Sequence, residues 1–355
     1  MKNIKEIIIF YFSGTGNAKQ IATWFADYVI KKDVKCTLHN IADIDINSLQ
    51  ITDPKILVII IAPVHGFNYI HSTKQFIKKF PKGKNPVALM ATRGGLKLWK
   101  IPIPGISGIT FLLASLILKI KGYKIIGQIP FDMPSSWTAF HPAIRGNALK
   151  FMFNRNLKRV EKHAEKILLN KSDFIAYRDI LQDLLVSPIA IAYYIYRFFL
   201  SKTLYASTKC NNCGLCISEC PVQAIEKINS RPFWKLKCEN CMKCMNSCPQ
   251  RAIETSHAII FISIILAGMI IDSLVAYYHF DFGSNFISHN LTRLVHDLVW
   301  FVILLILYRF QSIILNNRII GKLISYTSLT HYKFWGRYKI DFKPDNSTKS
   351  NMVEQ

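Results

Sequence analysis

The chain has 355 residues and a net charge of +23, from 45 Lys and Arg against 22 Asp and Glu, and half of it is hydrophobic, with a mean hydropathy of +0.20. This length admits two or three domains and excludes a small secreted disulfide scaffold. The hydropathy is high for a soluble protein, and the charge favours anionic lipid or an acidic partner. No zinc finger, helix-turn-helix or RNP-like run is present, so nucleic acid is not an expected partner.

Residues 5–12 read as a short buried strand, bounded by Ser13 and Gly14. Ser13-Gly14-Thr15-Gly16-Asn17 follows. A helical pattern then starts at Ala18, with Ile21, Trp24, Phe25, Tyr28 and Val29 on one face. A strand, a Gly/Ser/Thr loop and a helix N-terminus together make an anion site, because free backbone N–H groups and the helix dipole favour negative charge. The run lacks the Gly-Lys-Ser/Thr of a Walker loop and is not a G-x-G-x-x-G fingerprint. It resembles the phosphate loop of flavodoxins, which cradles the phosphate of FMN. Ala18 stands where those proteins often carry a further hydroxyl, so one phosphate contact is missing.

Further strands are expected at 34–39, 55–62, 86–91 and 123–129, with helical stretches between them at 72–80 and 105–121. Such alternation predicts a parallel doubly wound sheet. Ligands of such sheets sit at the carboxyl ends of the strands. The loops Pro63-Val64-His65-Gly66-Phe67 and Thr92-Arg93-Gly94-Gly95 both follow strands. In flavodoxins the corresponding loops flank the isoalloxazine ring. The resemblance therefore makes His65 and Phe67 candidates for its face or edge, and the backbone of Thr92 to Gly95 a candidate for its polar rim. Residues 108–120 are very apolar, but a stretch of about thirteen residues is short for a bilayer, which needs about twenty. A crossover helix packed on the sheet is the better expectation. Residues 151–170 form a basic helix with Leu157, Val160, Ala164, Ile167 and Leu168 on one face, expected to close this domain. The apolar, aromatic run 186–200 packs between domains or lies on a membrane surface, and the sequence does not separate the two.

Eight of the nine cysteines fall in two runs, Cys210-x-x-Cys213-x-x-Cys216-x-x-x-Cys220-Pro221 and Cys238-x-x-Cys241-x-x-Cys244-x-x-x-Cys248-Pro249. Each run has the spacing of a bacterial [4Fe–4S] ferredoxin, in which the fourth cysteine of a run ligates the other cluster. Cys210, Cys213, Cys216 and Cys248 are thus expected to hold one cube, and Cys238, Cys241, Cys244 and Cys220 the second. Zinc sites use pairs of C-x-x-C or mixed Cys/His sets and do not need this pattern. Disulfides suit short secreted chains, and no cleavable signal sequence is expected here. Cys36 stands alone in a strand and reads as a small buried apolar residue.

Beyond the clusters, residues 258–278 and 294–315 are apolar and are separated by a turn without Lys or Arg. Arg318, Lys322, Lys333, Arg337 and Lys339 follow. This pattern suits a transmembrane hairpin with both ends and the redox domains on the cytoplasmic side; a soluble helical pair docked on the ferredoxin unit, and a cytoplasmic location, is the alternative. Asp272, His289, His296 and Asp297 lie in or near these helices and are either functional intramembrane groups or solvated helix ends. The tail 321–338 mixes aromatics with Lys and Arg as interfacial segments do. The last residues are polar, and disorder is expected there.

With the phosphate loop first and the cysteine runs second, residues 2–254 resemble the EFR1-type flavodoxin–ferredoxin fusion proteins of anaerobic bacteria. The fold class implied is α/β: a flavodoxin-like doubly wound parallel sheet, followed by an α+β two-[4Fe–4S] ferredoxin domain and a C-terminal helical hairpin. The expected division is 1–175, a linker at 176–205, the ferredoxin domain at 206–256, the hairpin at 257–317 and a basic tail at 318–355. The resemblance implies FMN plus two clusters in one electron-transfer protein. No nicotinamide site is evident, so a ferredoxin, a flavodoxin or a membrane redox complex is the expected partner. A flavin-dependent reductase of a small molecule or quinone, and an iron–sulfur sensor or assembly factor, are the competing readings.

Overall fold

A computed structural model describes residues 4–51, 53–98, 101–278, 286–315 and 317–340. Contacts divide the chain into two units. One comprises 1–137, 143–195 and the segment from 338; the other comprises 138–142 and 196–337. The division is not collinear with the sequence, because Tyr338 joins the core of the first unit.

The first unit is built on strands β1 (Glu6–Tyr11), β2 (Lys35–Asn40), β3 (Ile56–His65), the two-residue β4 (Asn68–Tyr69), β5 (Pro86–Leu98), β6 (Ile101–Ile103) and β7 (Lys124–Pro134). Its five parallel strands run in the order β2-β1-β3-β5-β7; β4 and β6 add antiparallel to β3 and β5. Counting the parallel strands alone, this is the 2-1-3-4-5 order of the flavodoxin-like doubly wound fold. Helices α1 (Asn17–Ile30) and α4 (Gly146–Leu168) cover one face, and α2 (His71–Lys79) and α3 (Thr110–Ile120) complete the crossovers. Because both faces are covered, β3 is a continuous buried apolar run rather than an alternating one. Ile7, Ile9, Leu57, Ile59 and Ile61 meet Ile21, Phe25, Phe153, Val160 and Ile167 in one core. On the other face Phe10 packs against Phe76 and Phe80, with ring centroids 5.2 and 5.6 Å away.

Several elements differ from the sequence expectation: β3 runs through Pro63 to His65 and β7 runs to Pro134, past the expected ends at 62 and 129. The strand expected to end at Ala91 continues to Leu98, because β7 pairs with it as far as Gly95 opposite Pro134. Thr92 to Gly95 are therefore strand residues rather than a free loop. The helix expected over 105–121 starts only at Thr110. Gly108 has φ +56°, and the amides of Ser107 and Gly108 donate to Asp183 Oδ1 at 2.9 and 2.8 Å. Asp183 lies on α5 (Ile180–Leu200), a single helix running through Pro188.

Behind the sheet, Asp173 is buried and accepts from His163 Nδ1 at 2.6 Å and Lys166 Nζ at 3.0 Å. Burial alone would raise its pKa, but these two partners outweigh it and hold the carboxyl below its ordinary value. A depressed carboxylate pKa adds stability above the unfolded-state value, and that stability is lost as pH falls through the folded value. Asp173→Asn is therefore expected to be less stable than wild type at neutral pH. The gap should narrow below about pH 4, as read by thermal unfolding of both proteins across pH; a gap that is constant with pH would contradict this.

The second unit pairs β8 (Leu204–Ala206) antiparallel with β11 (Ile253–Thr255), and β9 (Ile225–Ile228) with β10 (Arg231–Trp234). Asn229 and Ser230 join the latter pair with φ of 50° and 60°, as a tight primed hairpin turn requires. Short helices α6 (Leu215–Ser218) and α7 (Lys243–Ser247) lie within the cysteine runs. Then come α8 (His257–Tyr278), α9 (Phe286–Ile314) and α10 (Arg318–Tyr326). The windows 257–274 and 294–311 are long and apolar enough to cross a membrane, with mean hydropathy 2.1 and 1.6 and only 22% and 17% of their residues buried. Phe261, Ile265, Met269, Leu298, Val302, Ile306 and Phe310 are exposed on them. The two helices pack together, and Trp300 Nε1 donates to Ser263 Oγ at 2.9 Å. Asp272 is exposed, and His296 Nδ1 lies 3.8 Å from Asp297 Oδ1. The side chain of His289 and the final residues from 341 lie outside the described residues.

Candidate functional site

The two cysteine runs build the same backbone twice. Asn212 and Asn240, Gly214 and Met242, and Gln223 and Arg251 occupy equivalent positions in the runs, and all six have positive φ. Each left-handed residue turns the chain around a common centre, so successive sulfurs face inward. After each fourth cysteine the backbone folds back onto its sulfur: Ala224 N donates to Cys220 Sγ at 3.2 Å, and Ala252 N to Cys248 Sγ at 3.4 Å.

The result is two cavities. One, of about 460 Å³ counted to its open mouth, is lined by Cys210, Cys213, Cys216 and Cys248. The other, of about 320 Å³, is lined by Cys238, Cys241, Cys244 and Cys220. Each cavity takes three cysteines from one run and the fourth from the other. Among the described residues no three His, Cys, Asp or Glu side chains converge on one point. Four thiols spread around a void suit a cluster with iron at every corner.

The electrostatics agree with that donor set. Burial, then the neighbouring cysteines, pushes Cys216 up to about 11. Burial pushes Cys238 and Cys241 up to about 12, and Cys244 is raised by burial and then by Cys238 and Cys241. A cationic metal would favour the thiolate form of these raised cysteines. Cys36 sits half-buried on β2, and burial raises it too, as a structural thiol. Beside the second cavity, Lys202 Nζ donates to the carbonyl of Trp234 and sits 5.0 and 4.7 Å from the ring centroids of Phe233 and Tyr308. Burial draws its pKa down to about 8. No pattern in the sequence marked Lys202. Of the lysines around the runs, Lys235 pairs with Glu226, Lys243 with Glu219 at 3.7 Å and Lys209 with Glu254 at 3.8 Å.

In the first unit the loop after β1 lies at the carboxyl edge of the adjacent strands β1 and β3, the switch point of this topology. Gly16, with φ +100°, caps α1; its amide donates to Ser13 Oγ at 3.1 Å. Thr15 Oγ1 donates to Ser136 Oγ at 2.8 Å. Asn17 spends its side chain on structure, donating to the Pro134 carbonyl at 2.9 Å and accepting from Tyr338 at 2.5 Å. Gly14 completes the loop, partly exposed. Pro63 still pairs with Thr92, and His65 with Asn68. Gly66 and Phe67 turn with φ of 55° and 63°.

The His65 ring lies 5.4 Å from Trp137, and Trp137 lies 5.8 Å from Tyr193. The ring of Tyr193 rests on Gly66, where any β-carbon would overlap it at 1.9 Å. Tyr193 escaped the sequence reading; its only signal is the aromatic run of α5. The backbone of Thr92 to Gly95 pairs with Phe131 to Pro134 of β7, and the side chain of Arg93 is spent in ion pairs with Asp132 and Asp179 at 2.6 and 2.7 Å. The hydroxyls of Ser13 and Thr15, the helix N-terminus of α1 and the aromatic rings beside them are groups that a flavin phosphate and ring could use; Gly66 and Gly16 make room for Tyr193 and Ile340.

The strand order and the cysteine arrangement define a flavodoxin-like domain joined to a 4Fe–4S ferredoxin domain, the makeup of an electron-transfer protein. A family described as a 4Fe-4S dicluster domain matches residues 209–253. No curated protein matches the chain. Among solved structures, a flavodoxin from the domain Archaea is 14% identical, with 46% of this chain and 98% of that one covered at a TM-score of 0.30. Fusobacterium nucleatum flavodoxin bound to flavin mononucleotide is 15% identical, covering 47% and 99% at 0.31. General stress protein 14 of Treponema denticola in complex with FMN is 12% identical, covering 45% and 98% at 0.31. The fold assignment rests on the strand order, not on these scores.

Proposed function

We propose that this chain is a membrane-attached electron carrier of the EFR1 type, which holds FMN and two [4Fe–4S] clusters and exchanges electrons with a redox protein. The observation that carries this reading is the pair of cavities, each lined by three cysteines of one run and one of the other. When bound, FMN exchanges one or two electrons and each cluster one, which allows an electron pair to be divided into single steps. The protein supplies binding and electrostatics. Ser13, Gly14, Thr15, Gly16 and Asn17 would cradle the phosphate, while Pro63, His65, Gly66 and Phe67, with the backbone of Thr92, Arg93, Gly94 and Gly95, would border the ring. The eight cysteines would hold the iron. Domain limits at 175, 205, 256 and 317 belong to the same reading.

The two apolar helices support attachment to the cytoplasmic membrane, with the redox domains facing the cytoplasm; the partner would be a ferredoxin, a flavodoxin or a membrane redox complex. Anaerobic isolation from membranes, with absorption spectra and analysis of iron, sulfide and flavin, tests the whole proposal. Recovery in the membrane fraction with iron, sulfide and flavin is expected. A stable, colourless, iron-free protein would refute it.

Two variants probe the parts. Gly16→Val meets both the positive φ and the Ile340 side chain, whose Cδ1 lies 2.6 Å from the position of a new β-carbon. It is expected to destabilise the flavodoxin unit by about 1–3 kcal/mol and to weaken FMN binding, read by recovery of flavin fluorescence. Lys202→Met removes a buried positive charge beside the second cavity. That charge favours the reduced, more negative state. The variant should lower one cluster potential by tens of millivolts, on a scale of about 59 mV per tenfold change for one electron, in an EPR-monitored titration.

A further inference from the structure

Helix α10 is the reverse of a helix built for a water-soluble domain. Its buried residues are Gly321 and Ser325. Ile319, Leu323 and Tyr326, spaced i, i+4 and i+7 on one face, are 72%, 60% and 60% exposed. A helix packed beside water puts its large apolar stripe on the core and its polar residues outside. Close and polar contacts fix the inward side of α10. A β-carbon at Gly321 would lie 3.0 Å from Thr208 Cγ2, so the glycine lets the helix approach the chain just ahead of Cys210. Ser325 Oγ donates to the Gly321 carbonyl at 3.0 Å, and Ser328, just past the helix, donates to the Thr255 carbonyl at 2.8 Å. Rotating α10 to hide Leu323 would break this fit.

Position and charge say what covers the exposed face. Helix α9, long and apolar enough to cross a membrane, ends at Ile314, and α10 starts at Arg318. The Asn317 side chain accepts from the amides of Ile319 and Ile320 at 2.9 and 3.3 Å, so α10 is a separately capped helix where the apolar span stops. Arg318 and Lys322, at i and i+4, form an exposed basic row beside the apolar stripe. A large apolar face bordered by basic residues at the end of a span suits the boundary between acyl chains and head groups. We propose that α10 lies in the plane of the membrane surface and binds anionic lipid. Ile319, Leu323 and Tyr326 enter the acyl boundary. The stems of Arg318 and Lys322 run along it, and their charges reach the lipid phosphates. This rests on the membrane attachment proposed above. It would hold the ferredoxin unit against the bilayer, within reach of a redox partner in the membrane.

The test uses the full chain reconstituted in lipid vesicles, with photoreactive p-benzoylphenylalanine in place of Leu323 or, as a marker of the span, in place of Phe261 on α8. Both side chains are exposed, and Ile319 stands in if the Leu323 variant does not accumulate. After irradiation, lipid adducts identified by mass spectrometry are expected at both positions. The adduct at 323 should be about threefold more abundant with phosphatidylglycerol in the vesicles than with phosphatidylcholine alone. Arg318→Gln combined with Lys322→Gln should remove that difference and leave the adduct at 261 unchanged. Lipid adducts at 261 with none at 323 overturn this proposal and leave the membrane attachment standing. No lipid adduct at either position overturns both. A crosslink from 323 to a second copy of the chain in place of lipid, or an adduct indifferent to phosphatidylglycerol, also overturns it.

Discussion

Cys220→Ala is expected to disable the cavity built by the other cysteine run and to remove about half of the iron, as expected for one of two clusters. Cys220 precedes the second run, yet it lines the cavity of Cys238, Cys241 and Cys244. With three thiols left, one corner of a cube bound there would have no ligand, while the site of Cys210, Cys213, Cys216 and Cys248 would keep all four. Pairs of substitutions make the assignment testable without resolving the two spectra. Cys220→Ala combined with Cys241→Ala should lose no more iron than either alone, because both empty one site. Cys220→Ala combined with Cys213→Ala should lose nearly all of it. The reverse pattern would mean that each run holds its own cube. Electron transfer through the intact molecule should fail in every one of these variants if the cavities lie on the route.

Arg93→Leu should cost about 3–5 kcal/mol of stability in the flavodoxin unit, the range for removing one partner of a buried ion pair. Arg93 is 4% exposed and serves three partners at once: Asp132 at 2.6 Å, Asp179 at 2.7 Å and the Ser107 hydroxyl at 3.1 Å. Asp132 also accepts from the Gly105 amide at 3.0 Å and from Arg159 at 3.4 Å. Losing the guanidinium leaves Asp132 with weaker compensation and unties the loop before α3. Arg93→Lys should recover only part of the loss, because an ammonium cannot present the planar fork that reaches all three. Urea unfolding followed by near-ultraviolet circular dichroism measures both. A change under about 1 kcal/mol for the leucine variant would show that the network is a net neutral exchange, as some buried pairs are.

These two sites differ in how readable they were. The cysteine spacing is a local record of geometry: tight turns present thiols at three-residue intervals, and a short return carries the fourth away. The crosswise sets were therefore legible before any fold was known. The glycine loop after β1 was legible for the same reason, since a strand, small residues and a helix start are contiguous. The role of the Arg93 side chain was not legible. Its partners lie on β7, before α3 and before α5, and only the sheet brings them together. The extent of β5 was misjudged because Gly94 and Gly95 suggest a turn, whereas pairing with β7 carries the strand through them. Tyr193 could not be tied to Gly66 across more than a hundred residues by any periodicity.

The amino-acid sequence alone thus determined the parallel sheet, the eight candidate iron ligands and the two long apolar segments, because each is encoded in residues close along the chain. Only the tertiary structure decided that Tyr193 rests on Gly66, where the charge of Lys202 lies and what Arg93 holds. Those are distances between remote segments, set by how strands pair and helices pack, and hydrophobic patterning specifies the faces that meet without specifying which polar groups meet between them.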